Sequence, residues 1–391
     1  MELSRKVMQI QPSATLKISA QAKQMIADGI DVVNLSQGEP DFNTPDNIGR
    51  AARIAIKDHL TDSYTATNGL VELKNAVVAA AKRDYNVSLL TDQVVITTGA
   101  KLALYALMQI LVDPGDLVIT SAPFWVSYSE QVKLAGGSFK AIVSSDPQFK
   151  LTIDVLNKLE EKPKVVILNT PNNPSGAVYS KNELESIISW TKTNDVYLIL
   201  DEIYGKLVYG DTVFHSGLSL ESLVNSKMII INGVSKAYAM TGWRIGWAIA
   251  DVSITHAMTK ILGHLTSNPT VVAQYAAIEA LNGQQKSVET MRKSFESRLN
   301  FLYRDLSEID NISIPFKPSG SFYIFFKIDS KFMKKNNFKN TNEISMALLS
   351  EEKLAIPSGE GFGMPGYLRL SYAKSEAELI EAVKRLKHFF S

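Results

Sequence analysis

Seven short apolar segments, at residues 94–97, 117–120, 139–143, 164–168, 197–200, 228–231 and 247–250, follow one another through the middle of the chain. Helix-like segments at 101–111, 127–134, 153–160 and 181–191 separate most of them. Apolar runs without polar alternation are buried on both faces. Strands that alternate with helices close a largely parallel sheet with covered faces. The pattern predicts an α/β fold with a mostly parallel seven-stranded sheet. In such sheets ligands bind beyond the carboxyl ends of the strands, so function is sought in the residues that follow each strand.

The flanks read differently. A helix at 19–28, a short strand at 32–35 and helices at 48–59 and 70–84 precede the sheet. A helical stretch runs from 273 to 307, interrupted at Asn282-Gly283, and a strand (322–328), helix (341–352), strand (367–372) and helix (375–389) follow. That is an α+β pattern, and 391 residues are many for one core. The expected division is an arm plus part of a small domain (1–45), a large domain (46–285) and a small C-terminal α+β domain (286–391). The chain shows neither an internal repeat nor a low-complexity segment.

After the strand at 94–97 comes Thr98-Gly99-Ala100-Lys101 and then a helix, whose N-terminus presents N–H groups and a positive dipole end to an anion. After 164–168 comes Asn169-Thr-Pro-Asn-Asn-Pro-Ser-Gly176, where prolines fix the backbone and asparagines offer neutral amides. After 197–200 comes Asp201-Glu-Ile-Tyr204. A carboxylate leaving a buried strand needs a cationic or donor partner, such as a protonated ring nitrogen, unless it merely caps the next helix. After 228–231 comes Lys236, and Arg244 follows within Ser235-Lys-Ala-Tyr-Ala-Met-Thr-Gly-Trp-Arg244. Partial desolvation lowers a lysine's pKa and makes its amine a nucleophile able to form a Schiff base. An anion turn, an amide loop, a carboxylate and a lysine at one rim describe a site for a phosphorylated aromatic aldehyde.

Composition narrows the classes further. Net charge is +1 and no basic run marks a nucleic-acid face; the Lys-rich stretch 331–339 reads as a solvated loop or helix end. There is no cysteine, so disulfides, thiolate catalysis and Cys-ligated metal are excluded. The histidines have no metal-ligand spacing. With no apolar stretch of about 18 residues and no apolar signal core at the N-terminus, a cytoplasmic protein without membrane or nucleic-acid partners is the expectation. Gly361-Phe-Gly-Met-Pro-Gly366 satisfies G-x-G-x-x-G, but a strand rather than a helix follows it, which disfavours a dinucleotide site.

With these residues assembled, the sequence resembles the class I pyridoxal-phosphate (PLP) aminotransferases of fold type I over almost its whole length. The match includes Pro12-Ser-Ala-Thr15, Gly38-Glu-Pro-Asp-Phe42, Tyr64, Gly99-Ala-Lys101, Phe124-Trp125, Asn172-Asn-Pro-Ser-Gly176, Asp201-Glu-Ile-Tyr204, Ser235 to Arg244, Pro318-Ser-Gly320 and Arg369-Leu-Ser371. The resemblance implies that Lys236 forms the Schiff base with the cofactor. Asp201 would pair with the pyridine nitrogen and keep the ring an electron sink. Tyr204 and Asn173 would bond the ring's 3′ oxygen, and Trp125 would stack on the ring. The phosphate would rest on Gly99, Ala100 and Lys101, beside Arg244 and the Ser235 hydroxyl. Tyr64 would reach the neighbouring subunit's phosphate, which implies a homodimer. Arg369 would grip the substrate α-carboxylate in a bidentate fork, helped by Gly38 and Asn173. Some relatives carry a serine phosphate ligand three residues before the lysine; Gly233 stands there.

Within the subgroup resembled, a lysine after the phosphate turn (Lys101), with Thr15 from the arm, recognises the distal carboxylate of aspartate or glutamate. An ammonium facing a carboxylate in a closed site discriminates against neutral side chains. The resemblance thus implies ping-pong amino transfer between aspartate and 2-oxoglutarate. An aromatic or broad-specificity aminotransferase is the runner-up. A C–S lyase on the same fold would release pyruvate from cysteine-type substrates. A non-catalytic sensor would need a DNA-binding domain that the arm is too short to supply.

Overall fold

The computed structural model describes residues 4–10 and 14–391. Its strands are β1 (Val33–Asn34), β2 (Val94–Thr97), β3 (Leu117–Ala122), β4 (Ser138–Val143), β5 (Val165–Asn169), β6 (Tyr197–Asp201), β7 (Met228–Gly233), β8 (Gly246–Ile249), β9 (Ile312–Ser313), β10 (Tyr323–Ile328), β11 (Leu354–Ala355) and β12 (Tyr367–Ser371). β2 to β8 form the seven-stranded sheet in the order β2-β8-β7-β6-β5-β3-β4. β8 runs antiparallel to both its neighbours, and the remaining pairs are parallel.

Side-chain alternation along each strand divides the sheet between two cores. Leu198, Leu200 and Ile230 pack on one face with Ile48, Leu73 and Ala277 of the helices Asp46–Lys57, Val71–Tyr85 and Val271–Asn282. Ile199, Ile229 and Ile231 pack on the other with Ala103, Leu107 and Met258. Only with both faces covered can strands be this uniformly apolar. β4, at the sheet edge, instead alternates toward solvent.

A third core gathers Leu35, Tyr204, Phe295, Phe322, Ile324, Leu368 and Leu379 around an antiparallel sheet ordered β12-β10-β9. The helix Lys286–Ser307 runs from one core to the other. Its Val288 packs with the large sheet, and Met291, Phe295, Leu299 and Leu302 with the small one.

Several elements were not expected from the sequence, among them the short strands β9 and β11 and the helices Arg5–Met8 and Ser330–Lys335, and two departures lie beside the large sheet. The helix expected at 153–160 is only Ile153–Leu156, because the charged run beyond it has no apolar stripe to bury and leads to Pro163. A helix not expected, Val252–Leu265, follows β8. Asp251 caps it by accepting from the Ser253 N–H at 2.9 Å, and Ile254, Met258 and Leu262 at helical spacing bury its inner face. That cap and that spacing were legible in the sequence.

Candidate active site

The carboxyl ends of β2, β3, β5, β6 and β7 deliver Ala100, Trp125, Asn169, Asp201 and Lys236 to one cavity of about 510 Å³. Arg369 on β12 and the segment 36–39 after β1 close its other side. The cavity therefore lies between the sheet and the third core.

Lys236 stands in the turn after β7, partly buried, and its Nζ donates to the Gly38 carbonyl at 2.5 Å. The rings of Tyr204 and Phe322 lie 5.9 Å from the ammonium. Desolvation lowers the Lys236 pKa to about 8; Arg244 and Arg369 add to the push, while Glu39 and Asp201 oppose it. A larger share of its amine is therefore free near neutrality than for a surface lysine.

Asp201 ends β6 and is 4% exposed. The Tyr128 hydroxyl donates to its Oδ2 at 2.7 Å and the Ile203 N–H to Oδ1 at 3.3 Å. Burial raises its pKa to about 6, against the opposite pull of those donors and of Lys236. A buried carboxylate with no cation bonded to it stabilises a protonated nitrogen brought within reach.

Gly99, at φ +80°, caps the helix Ala100–Leu111, whose N-terminus opens into the cavity. A Cβ on Gly99 would run into the Arg244 guanidinium, and one on Gly246 into the Ala100 backbone nitrogen. Glycine is required at both positions to bring β8, the helix start and Arg244 together. Arg244 is held by donation from Nη1 to the Thr241 carbonyl at 2.9 Å. Ser235 lines the same corner. A helix N-terminus, an arginine and a hydroxyl make an anion cradle fit for a phosphate.

Arg369 is 4% exposed and pairs with no acidic side chain among the described residues. Nη2 donates to the Ser36 carbonyl at 2.6 Å and Nη1 to Asn173 Oδ1 at 3.2 Å, while Nε has no partner among the described residues. The rings of Tyr323 and Phe362 lie 4.5 and 5.0 Å from the guanidinium carbon. A buried guanidinium with an orphaned N–H is built for a carboxylate from outside.

Lys101 opens into the cavity with its Nζ 5.0 Å from the Trp125 ring centroid. Desolvation and then the Arg244 charge lower its pKa. The Tyr204 hydroxyl meets that of Tyr323 at 3.0 Å. Asn173 is held by its own N–H, which donates to Asn169 Oδ1 at 2.7 Å, and Asn169 in turn donates to the Asp201 carbonyl at 2.9 Å.

Thus Gly38, Ala100, Lys101, Trp125, Asn173, Asp201, Tyr204, Ser235, Lys236, Arg244 and Arg369 share one cavity, and Gly99 backs its anion corner. Tyr64 does not line it and is 90% exposed. The Thr15 side chain lies outside the described residues. Sequence reasoning missed Tyr128, Tyr323 and the Ser36 carbonyl. Tyr128 alone had a signal, one helical turn beyond Trp125; the others are set by contacts between distant segments.

A family model for aminotransferase class I and II matches residues 30–386. Aspartate aminotransferase of Bacillus sp. strain YM-2 is 44% identical over 389 residues, which cover 99% of this chain and 98% of that one. Asparagine–oxo-acid transaminase of Streptococcus mutans is 43% identical over 390 residues, 99% of each. Among solved structures, aspartate aminotransferase from Thermotoga maritima superposes with a TM-score of 0.90 at 36% identity, covering 99% of both chains. The Thermus thermophilus aspartate aminotransferase with maleate gives 0.91 at 34%, again over 99% of both.

Proposed function

The chain belongs to the aminotransferase class I and II family, and we propose that it carries the amino group of aspartate to 2-oxoglutarate through Lys236. It is a PLP-dependent transaminase, and the cofactor, when bound, would supply an electron sink for the reaction. The observation that carries the substrate assignment is the pairing of two cations in one cavity: Arg369 without an acidic partner, and Lys101 pressed against Trp125.

Each residue has a task the chemistry requires. Asp201, ionised above its pKa of about 6, would hold a protonated ring nitrogen, and Tyr128 would orient that carboxylate. The helix start at Ala100, Ser235 and Arg244 would hold the phosphate. Trp125 would stack on the ring, with Tyr204 and Asn173 at its polar edge. Arg369 would take the substrate α-carboxylate, and Lys101, with Thr15, the distal one. Lys236 Nζ, with its pKa lowered to about 8, would take the proton from the substrate α-carbon and return it.

A homodimer in the cytoplasm completes the proposal. Its support is Tyr64, an aromatic 90% exposed, with Leu60 and Val71 exposed in the same stretch of chain. The proposed domain division is 1–45, 46–285 and 286–391, its second boundary falling at the start of the helix Lys286–Ser307, which passes from one core at Val288 to the other from Met291 on.

The test is a spectral titration of the cofactor-loaded protein with aspartate, asparagine, phenylalanine and alanine, on wild type and Lys101→Ser. A response to aspartate at far lower concentration than to the others, lost selectively in Lys101→Ser, is expected. Equal losses for aspartate and phenylalanine would remove Lys101 from substrate recognition. A best response to phenylalanine would favour the aromatic reading, and one to asparagine an amide substrate.

A further inference from the structure

The segment 36–44 crosses the cavity and touches a different functional element at almost every step. The Ser36 carbonyl accepts from Arg369 Nη2 at 2.6 Å, and the Gly38 carbonyl from Lys236 Nζ at 2.5 Å. Glu39 Oε2 accepts from the Thr241 hydroxyl at 3.2 Å. Thr44 donates to the Ala239 carbonyl at 2.7 Å and accepts from Trp243 Nε1 at 3.0 Å. Gly38 is packed so closely that a Cβ there would stand 2.6 Å from the Tyr323 hydroxyl. The carbonyl against Arg369 and the carbonyl against Lys236 thus belong to one irregular stretch that has no sheet ladder to hold it among the described residues.

What anchors its middle is Arg298, on the helix Lys286–Ser307. Nη1 donates to Asp41 Oδ1 at 2.7 Å, with side-chain exposures of only 13% and 22%. The guanidinium carbon lies 5.3 Å from the Phe42 ring and 5.5 Å from that of Phe295. Those two rings meet edge to face at 5.6 Å, so the cation sits against an aromatic pair that is itself packed. Nη1 also lies 3.5 Å from the Tyr372 carbonyl, just past the strand that carries Arg369. A half-buried, charge-assisted and ring-stacked clamp holds geometry far better than a solvated ion pair.

We propose that Arg298 is a positioning residue for the reaction: through Asp41 and Phe42 it holds the segment whose Ser36 and Gly38 carbonyls set the attitude of Arg369 and Lys236. The inference rests on the aminotransferase reading, in which Arg369 binds the substrate. Arg298 does not line the cavity. Its effect falls on how well the α-carboxylate is received.

The experiment compares cofactor-loaded wild type with Arg298→Ala, Arg298→Lys and Asp41→Asn. KM and kcat are measured with whichever amino acid the wild type turns over best. Maleate, an unreactive dicarboxylate, is titrated for affinity, and each variant is melted. A misplacement of about 1 Å at a reacting group is enough for a loss on the order of a hundredfold, so a partial release predicts rises of about tenfold or more. In Arg298→Ala and Asp41→Asn, KM and the maleate dissociation constant are expected to rise together by that factor, with kcat changed less. Arg298→Lys should recover part of the loss. KM and maleate affinity within twofold of wild type in Asp41→Asn and Arg298→Ala would overturn the proposal, whether or not the melting temperature falls. A lower melting temperature with unchanged KM would make Arg298 a purely structural residue. If wild type transaminates no amino acid, the functional reading fails, and maleate affinity alone decides the clamp.

Discussion

Tyr128→Phe removes a single hydroxyl and leaves the ring that packs edge to face on Trp125 at 5.4 Å. The lost bond is the 2.7 Å donation to Asp201 Oδ2. A hydrogen bond to a charged acceptor contributes about 1.5–3 kcal/mol and one to a neutral acceptor about 0.5–1.5. The ionised form of Asp201 therefore loses roughly 1–1.5 kcal/mol more than the protonated form. At about 1.4 kcal/mol per pH unit, its titration moves up by about one unit from the wild-type value of about 6. The assay is the dissociation constant of PLP from pH 5 to 8.5. Ring-nitrogen binding needs the carboxylate, so affinity should fall on the acid side, and the fall should begin about one pH unit higher in Tyr128→Phe. At the alkaline end the two proteins should converge. The sign can be checked independently. Asp201 holds its proton more tightly folded than unfolded, so cofactor-free stability declines as pH rises from about 4 to 6, and the variant extends that decline to higher pH. An acid limb that does not move, or an affinity loss equal at every pH, would refute the role given to Tyr128.

Lys236→Ala is expected to abolish transamination while the protein melts cooperatively; retained turnover would overturn the Schiff-base assignment. Because the Lys236 pKa is lowered from 10.5 to about 8, the unfolded chain holds more protons between those values. That contribution makes cofactor-free stability rise with pH across this window, and Lys236→Ala should remove it, as denaturant melts at pH 7.5 and 10 will report. Arg369→Lys keeps a charge but loses the fork, and the absence of one charge-assisted bond, about 1.5–3 kcal/mol, lowers kcat/KM by about ten- to a hundredfold. Gly99→Ala places a side chain at φ +80° and against Arg244; backbone strain of about 1–3 kcal/mol should lower the melting temperature, and PLP affinity should fall with it.

The sheet was legible because its strands, the edge strand β4 excepted, are buried on both faces, and an apolar run bounded by polar turns has few other places to go. β2 to β8 accordingly match the expected segments within one or two residues at their ends. What was hard to read is whatever local pattern does not encode. The strand expected at 32–35 is there as β1, but β11 was not expected: it is two residues long and is a strand only because β1 lies beside it. Lys236, Asp201 and Arg244 announced themselves as polar residues at strand ends. The Ser36 and Gly38 carbonyls did not, since a carbonyl belongs to every residue and gains meaning only from the side chain that reaches it. Tyr323 read only as one residue of the strand at 322–328, and its hydroxyl matters because Tyr204 comes from a segment more than a hundred residues away.

The charges lining the cavity bear on the choice of substrate in a way no single contact does. Among the described residues, Lys23, Lys101, Lys236, Arg244 and Arg369 line the cavity with two acidic side chains, Glu39 and Asp201. Like charges in a poorly solvated space raise each other's energy, which is why Arg244 and Arg369 lower the Lys236 pKa and Arg244 lowers that of Lys101. On the proposed reading, anions would relieve this in stages. A phosphate at the Ala100 helix start would offset Arg244, an α-carboxylate would offset Arg369, and Lys101 would retain its excess until a second carboxylate arrived. A monocarboxylic amino acid would leave that ammonium desolvated against Trp125 without a partner, whereas aspartate or glutamate would supply one. Discrimination would then come less from attraction to the right substrate than from the penalty of closing the wrong one over an unpaired cation.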